Sequence, residues 1–186
     1  MSKKRHRRSF HEAGHAHELT FSCYRRFPFL KADRVCEWLA ESIHNARTIH
    51  SFRLWAYVFM PDHVHLLIYP DTAEVDIGRV LKLIKAPVAR QALKYLRQHS
   101  PDWLQKLERS RGAKTEHLLW QSGGGYDRNV ENPDTLLAMI DYIHANPVRK
   151  GLVERPDDWK WSSAAWYSEQ TEGQLFIDSI PRDWLE

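Results

Sequence analysis

Two apolar runs, residues 53–60 and 63–69, meet at Pro61-Asp62, and this junction constrains the fold more than any other feature of the chain. A two-residue break between runs rich in aromatic and branched side chains is a tight hairpin signal. In Met60-Pro61-Asp62-His63-Val64-His65-Leu66-Leu67-Ile68, successive strand side chains point to opposite faces. His63 and His65 therefore share one face, while Val64, Leu66 and Ile68 share the other. Two neutral imidazoles side by side on a rigid strand supply most of a metal site. The same pair also reads as half-buried strand histidines satisfied by hydrogen bonds.

The elements around this hairpin set the fold class. A strand is expected over residues 18–24, a helix over 33–46 and a second helix over 76–98. A further strand lies within 120–130, broken by Gly123-Gly124-Gly125. Strand, helix, hairpin, helix, strand predicts an α+β, ferredoxin-like fold: an antiparallel sheet with helices on one face. An apolar content of 42% in 186 residues is enough for one core, so residues 18–186 are expected to form a single domain behind a basic arm at 1–17.

Asn132-Pro133-Asp134 opens one more helix: Asn suits the N-cap, Pro the first helical position, and Asp the positive end of the dipole. Leu136, Leu137, Ile140 and Ile143 form its apolar stripe, and Pro147 should end it near Asn146. Tyr142 and Asn146 are four residues apart and so share a face, on the Met139 flank of that stripe. A phenol and a carboxamide placed there can meet a neighbouring strand. Either can also be a plain packing or helix-end residue.

The patterns Tyr57-Val58-Phe59-Met60-Pro61-Asp62-His63-Val64-His65-Leu66-Leu67 and Asp141-Tyr142-Ile143-His144-Ala145-Asn146-Pro147-Val148-Arg149-Lys150-Gly151-Leu152-Val153 resemble the single-tyrosine, IS200-like transposases of the HUH endonuclease class. Within that class the chain is most similar to the REP-associated tyrosine transposases. Trp120-Gln121, Tyr126-Asp127-Arg128 and Trp159-Lys160-Trp161-Ser162-Ser163-Ala164 extend the resemblance over residues 18–166.

The resemblance implies a ferredoxin-like fold and an enzyme that cuts hairpin-bearing single-stranded DNA by transesterification. It implies Tyr142 as nucleophile on a C-terminal helix, leaving a 5′-phosphotyrosine and a free 3′-hydroxyl. It also implies a divalent metal, Mg²⁺ or Mn²⁺, held by His63 and His65, with Asn146 in the position of a third ligand. No small-molecule cofactor is implied, and a monomer is expected. The residue types suit this chemistry. A phenol with a pKa of about 10 needs help to lose its proton, and a Lewis acid on the phosphate offsets developing charge.

Other features bear on competing functions. His11-Glu12-Ala13-Gly14-His15 matches the zinc-protease pattern, but that chemistry needs a helix, and Gly14 with the apolar run from Leu19 argues against one. His15 and His17, ahead of the strand, read as surface histidines. A hairpin-DNA-binding module that does not cut is a second alternative; there Tyr142→Phe would change nothing.

Lys3, Lys4, Arg5, Arg7 and Arg8 crowd the first eight residues and account for the net charge of +3. They are expected to contact DNA phosphates as a flexible arm. Two cysteines make no disulfide framework, and no apolar stretch reaches membrane-spanning length, so a cytoplasmic protein without a membrane partner is expected. Tyr126 is a rival nucleophile without a ligand partner one helical turn away. Trp159, Trp161, Trp166 and Trp184 are expected mostly to seal a sheet edge.

Overall fold

The computed structural model describes residues 14–169, 171 and 173–185. The basic arm residues Lys3 to Arg8, and His11 and Glu12 of the protease-like pattern, lie outside the described residues. His15 follows a turn at Gly14 and precedes a strand, so the helix that pattern requires is absent at its described end.

The hairpin forms as expected. Strands β2 (Phe52–Met60) and β3 (His63–Pro70) pair antiparallel, and Met60 opposite His63 leaves Pro61-Asp62 as the two-residue turn. β1 (Ala16–Ser22) pairs with the other edge of β3, and β6 (Tyr126–Val130) pairs with β1. The order is β2-β3-β1-β6, all antiparallel, which is the ferredoxin-like arrangement. β1 begins two residues earlier than expected. His17 therefore sits inside it, only 1% exposed and bonded to Asp127, which corrects its reading as a surface histidine.

One face of the sheet carries Leu19, Phe21, Val64, Leu66 and Ile68, and two helices cover it: α1 (Asp33–Ile49) and α2 (Ile77–His99). Pro87 lies inside α2 and offers no N–H to the carbonyl of Leu83 one turn before. The Ser42 hydroxyl of α1 points at that carbonyl and at the carbonyl of Ile84, at 3.1 and 2.8 Å, tying the helices together where the ladder is interrupted.

A short helix α3 (Pro101–Leu107) and a two-stranded ribbon, β4 (Glu108–Arg111) with β5 (Lys114–His117), follow α2; Arg109 and Lys114 lie on that ribbon.

The second face is half covered. β2 skips a register step between Leu54 and Ala56, so Trp55 and Ala56 both point to this face. Helix α4 (Pro133–His144) lays Leu136, Ile140 and Ile143 over them, capped by Asn132 accepting from the Thr135 N–H at 2.9 Å. The helix stops at His144 and resumes as a single turn, α5 (Asn146–Arg149). The region toward β1 and the start of β3 stays open.

The free edge of β2 is closed by the C-terminal segment. Phe59 N–H donates to the Trp161 carbonyl at 2.8 Å, and the Trp159 indole donates to the Phe59 carbonyl at 2.9 Å. Ser163 Oγ accepts from Tyr57 N–H and meets Nε2 of His144, whose pKa burial pushes down to about 4. Trp184 packs on Trp55, so three of the four C-terminal tryptophans close this side of the sheet. No helix among the described residues is long and apolar enough to cross a membrane.

Gly125 is required by contact. It has φ of 87°, and a Cβ there would stand 2.2 Å from the carbonyl oxygen of Thr20. Gly124 faces open space. Gly125→Ala is therefore expected to cost about 2–3 kcal/mol in urea unfolding, while Gly124→Ala stays within about 0.5 kcal/mol. Equal effects at both positions would show that the close approach to β1 does not matter.

Candidate functional site

The alternation of β3 brings His63 and His65 to the open part of the second face, with ring centroids 5.0 Å apart. They are 9% and 5% exposed, too buried for solvent alone to orient them. Each is held through the same nitrogen. His63 Nδ1 donates to Asp62 Oδ1 at 2.7 Å, and His65 Nδ1 donates to Glu18 Oε1 at 2.8 Å. Thr20, directly across β1 from His65, brings its hydroxyl to 2.8 Å from the same Nδ1 and bonds Glu18 as well.

Carboxylates only accept, so this arrangement places hydrogen on both Nδ1 atoms. No hydrogen bond engages either Nε2 among the described residues. Burial, outweighing the pull of Asp62, lowers the His63 pKa and favours its neutral form. Burial raises the Asp62 carboxyl, but the hydrogen bond and charge of His63, with Arg26, bring it below its ordinary value.

Helix α4 supplies the other half. Tyr142 is 44% exposed, and its ring meets His65 edge-on with centroids 5.7 Å apart. The Arg149 guanidinium lies over that ring at 4.2 Å and donates to the Tyr142 carbonyl at 3.2 Å, fixing the phenol from behind. Asn146 is buried. Its amide nitrogen donates to the carbonyls of Tyr142 and Ile143 at 2.8 and 3.3 Å, so the helix-end role is realised, while its amide oxygen accepts no hydrogen bond among the described residues.

These residues line two adjoining lobes that share Arg26, His63 and Tyr142. The first, about 450 Å³, is bounded by Glu18, Thr20, His63, His65, Tyr126, Arg128 and Tyr142. The second, about 530 Å³, is bounded by Asp62, His63, Tyr142, Asn146 and Lys150. Of the four residues expected to form a site, His63, His65 and Tyr142 line the first lobe, and His63, Tyr142 and Asn146 line the second. Tyr126, the rival nucleophile, lies on the first lobe and is 37% exposed.

The donor set fits a divalent ion with nitrogen and oxygen preference: two outward Nε2 atoms, one amide oxygen and open space for water or substrate oxygens. Carboxylate–histidine pairing behind both rings is the usual support for such ligands. Among the described residues no three His, Cys, Asp or Glu side chains converge to hold a metal by themselves, so a thiolate or closed tetrahedral site is not offered.

Sequence reading missed Glu18 and Thr20, although polar residues two apart in an apolar strand were a signal. It took Asp62 only as a turn residue. Nothing local pointed to Arg26 or Arg128.

Residues 12–146 match the family model described as Transposase IS200 like. A curated relative from Haemophilus influenzae, one of the REP-associated tyrosine transposases, is 25% identical over 165 residues, 85% of each chain. A solved structure of a REP-associated tyrosine transposase bound to a REP hairpin shares the fold, with a TM-score of 0.68 at 18% identity over 97% of this chain and 94% of that one.

Proposed function

The chain belongs to the IS200-like transposases, and on that premise we propose that it nicks and rejoins single-stranded DNA beside hairpins through a covalent 5′-phosphotyrosine. The observation that carries this reading is the convergence of Tyr142, His63 and His65 on one cavity from elements 77 residues apart in sequence at the closest, His65 to Tyr142. A protein that only gripped hairpins would have no use for a phenol poised beside two oriented imidazoles. The REP hairpin bound by the structural relative supports a hairpin substrate here.

In this mechanism the Tyr142 oxygen loses its proton to solvent and attacks the phosphorus. The P–O3′ bond breaks, and the leaving oxygen takes up a proton as a 3′-hydroxyl. Because the phosphotyrosine conserves the bond energy, a 3′-hydroxyl can later attack it, restoring the diester and the free phenol. His63, His65 and the Asn146 amide oxygen would hold Mg²⁺ or Mn²⁺, whose chemistry when bound is Lewis-acid polarisation of the phosphate. Asp62 and Glu18 keep the two rings turned with Nε2 outward. Arg149 restrains the Tyr142 ring. The same reading takes the chain as a cytoplasmic monomer with one domain over 18–186, whose Lys3, Lys4, Arg5, Arg7 and Arg8 contact phosphates.

The test is incubation with hairpin strands labelled at either end, drawn from repeats flanking the gene, with Mn²⁺ or with chelator. An adduct on a denaturing gel that keeps only the 3′ label, and vanishes with chelator, is expected. Hairpins that bind tightly yet give no adduct would replace the enzyme reading with that of a non-cutting binder.

Glu18 offers a separate check. Glu18→Gln removes the charge behind His65 while keeping its shape, and is expected to weaken Mn²⁺ binding about 10–100-fold in a calorimetric titration. Unchanged affinity would mean that His65 is not a ligand oriented by Glu18.

A further inference from the structure

Arg25 and Arg26 follow one another in the left-handed backbone region, at φ 52° and 57°. Among the described residues they are the only non-glycine residues there, and neither side chain favours it. The strain persists because the flanking chain is pinned. Cys23 N–H donates to the Asp62 carbonyl at 2.8 Å, Tyr24 N–H to Leu119 at 2.8 Å, and Leu30 N–H to Pro61 at 3.0 Å. These bonds fasten the segment to the turn that carries Asp62. Backbone strain held in place by surrounding structure clusters at active sites and ligand clamps.

Its consequence is the position of Arg26. Among the described residues, three line both lobes: His63, Tyr142 and Arg26. The Arg26 guanidinium makes one contact of 3.3 Å with Asp62 Oδ2, while the other oxygen of Asp62 serves His63. With the arginine side chain 60% exposed, that contact is weak and most of the five N–H donors remain uncommitted. Of the other cations, Arg128 lines the first lobe alone and Lys150 the second alone, while Arg149 is engaged with the Tyr142 ring and carbonyl.

We propose that Arg26 is a catalytic residue that grips the scissile phosphodiester through its non-bridging oxygens. The proposal rests on the transesterase reading above. A planar fork matches two phosphate oxygens and stays charged throughout. As the Tyr142 O–P bond forms and the P–O3′ bond breaks, charge on the non-bridging oxygens is met by the guanidinium, which donates hydrogen bonds and transfers no proton. The Asp62 contact holds the side chain ready and is given up to the substrate.

The experiment compares the native chain with Arg26→Ala, Arg26→Lys and Arg26→Gly on the labelled hairpin. Each is paired with a hairpin bearing a neutral methylphosphonate at the scissile position. Arg26→Ala and Arg26→Gly are expected to slow adduct formation on the phosphodiester by about 10²-fold, and Arg26→Lys by roughly 10-fold. Hairpin binding should change by less than about 3-fold in every variant, since one phosphate contact among many is lost. On the methylphosphonate the gap between native and variants should close to within about 3-fold, because the charge the guanidinium answers is gone.

Arg26→Gly should also raise Tm by about 2 °C through relief of the backbone, so lost activity cannot be ascribed to lost fold. Adduct from Arg26→Ala at the native rate overturns the proposal alone, as does a defect that stays the same on the methylphosphonate. Absence of adduct from the native chain overturns the transesterase reading and this proposal with it.

Discussion

Tyr142→Phe is expected to lower covalent adduct formation on the order of 10⁴-fold or more, because the attacking atom itself is removed. The change deletes one oxygen from a side chain already 44% exposed, so the fold and hairpin binding should survive unaltered. Tyr126→Phe is the matched control. Tyr126 shares the first lobe and is 37% exposed, but it stands on β6 rather than on the helix that faces His65 edge-on. It should retain adduct formation within about 3-fold of native, a surface-substitution effect. If the two variants exchange these outcomes, Tyr126 is the nucleophile and the helix signature has been misread. If both keep full adduct formation, the covalent bond to DNA forms elsewhere.

The second large effect is expected at the imidazoles. His63→Ala or His65→Ala should slow adduct formation by about 10³-fold, since Lewis-acid stabilisation of several kcal/mol is lost at about 1.4 kcal/mol per decade. The double variant should fall little below either single one, because two ligands of one ion act as a unit. Mn²⁺ titration should show the loss directly in the absence of DNA. His65→Ala also leaves the buried Glu18 with Thr20 alone as partner, so its stability is expected to drop more than that of His63→Ala, whose Asp62 partner is 30% exposed. Multiplicative losses in the double variant would mean that the two rings do independent work rather than share an ion.

Much of the site was legible in the chain because its signals are short-range. Period-two alternation about Pro61-Asp62 put His63 and His65 on one face, and the hairpin register bears this out. Asn132-Pro133 marked the start of α4, and the four-residue interval set Tyr142 and Asn146 on one flank. The order of elements was enough for the ferredoxin-like sheet. The end of α4 was less legible: it stops at His144, and Asn146, the residue before Pro147, is itself helical in α5.

Tertiary structure decided what lies behind and across from those residues. β1 is inserted between β3 and β6, which sets Glu18 and Thr20 against His65, although Glu18 and His65 are 47 residues apart. The skipped step in β2 turns Trp55 and Ala56 to the same side and gives α4 its seat; no pattern of the strand itself predicts that interruption. Likewise, nothing in Tyr24-Arg25-Arg26-Phe27 announces a left-handed turn, because bonds to Pro61, Asp62 and Leu119 impose it from outside. Periodicity and capping are set by neighbours within a turn or a pleat, so they can be read along the chain. Strand pairing, charge partners and strain come from segments brought together only when the sheet closes, and so they belong to the fold.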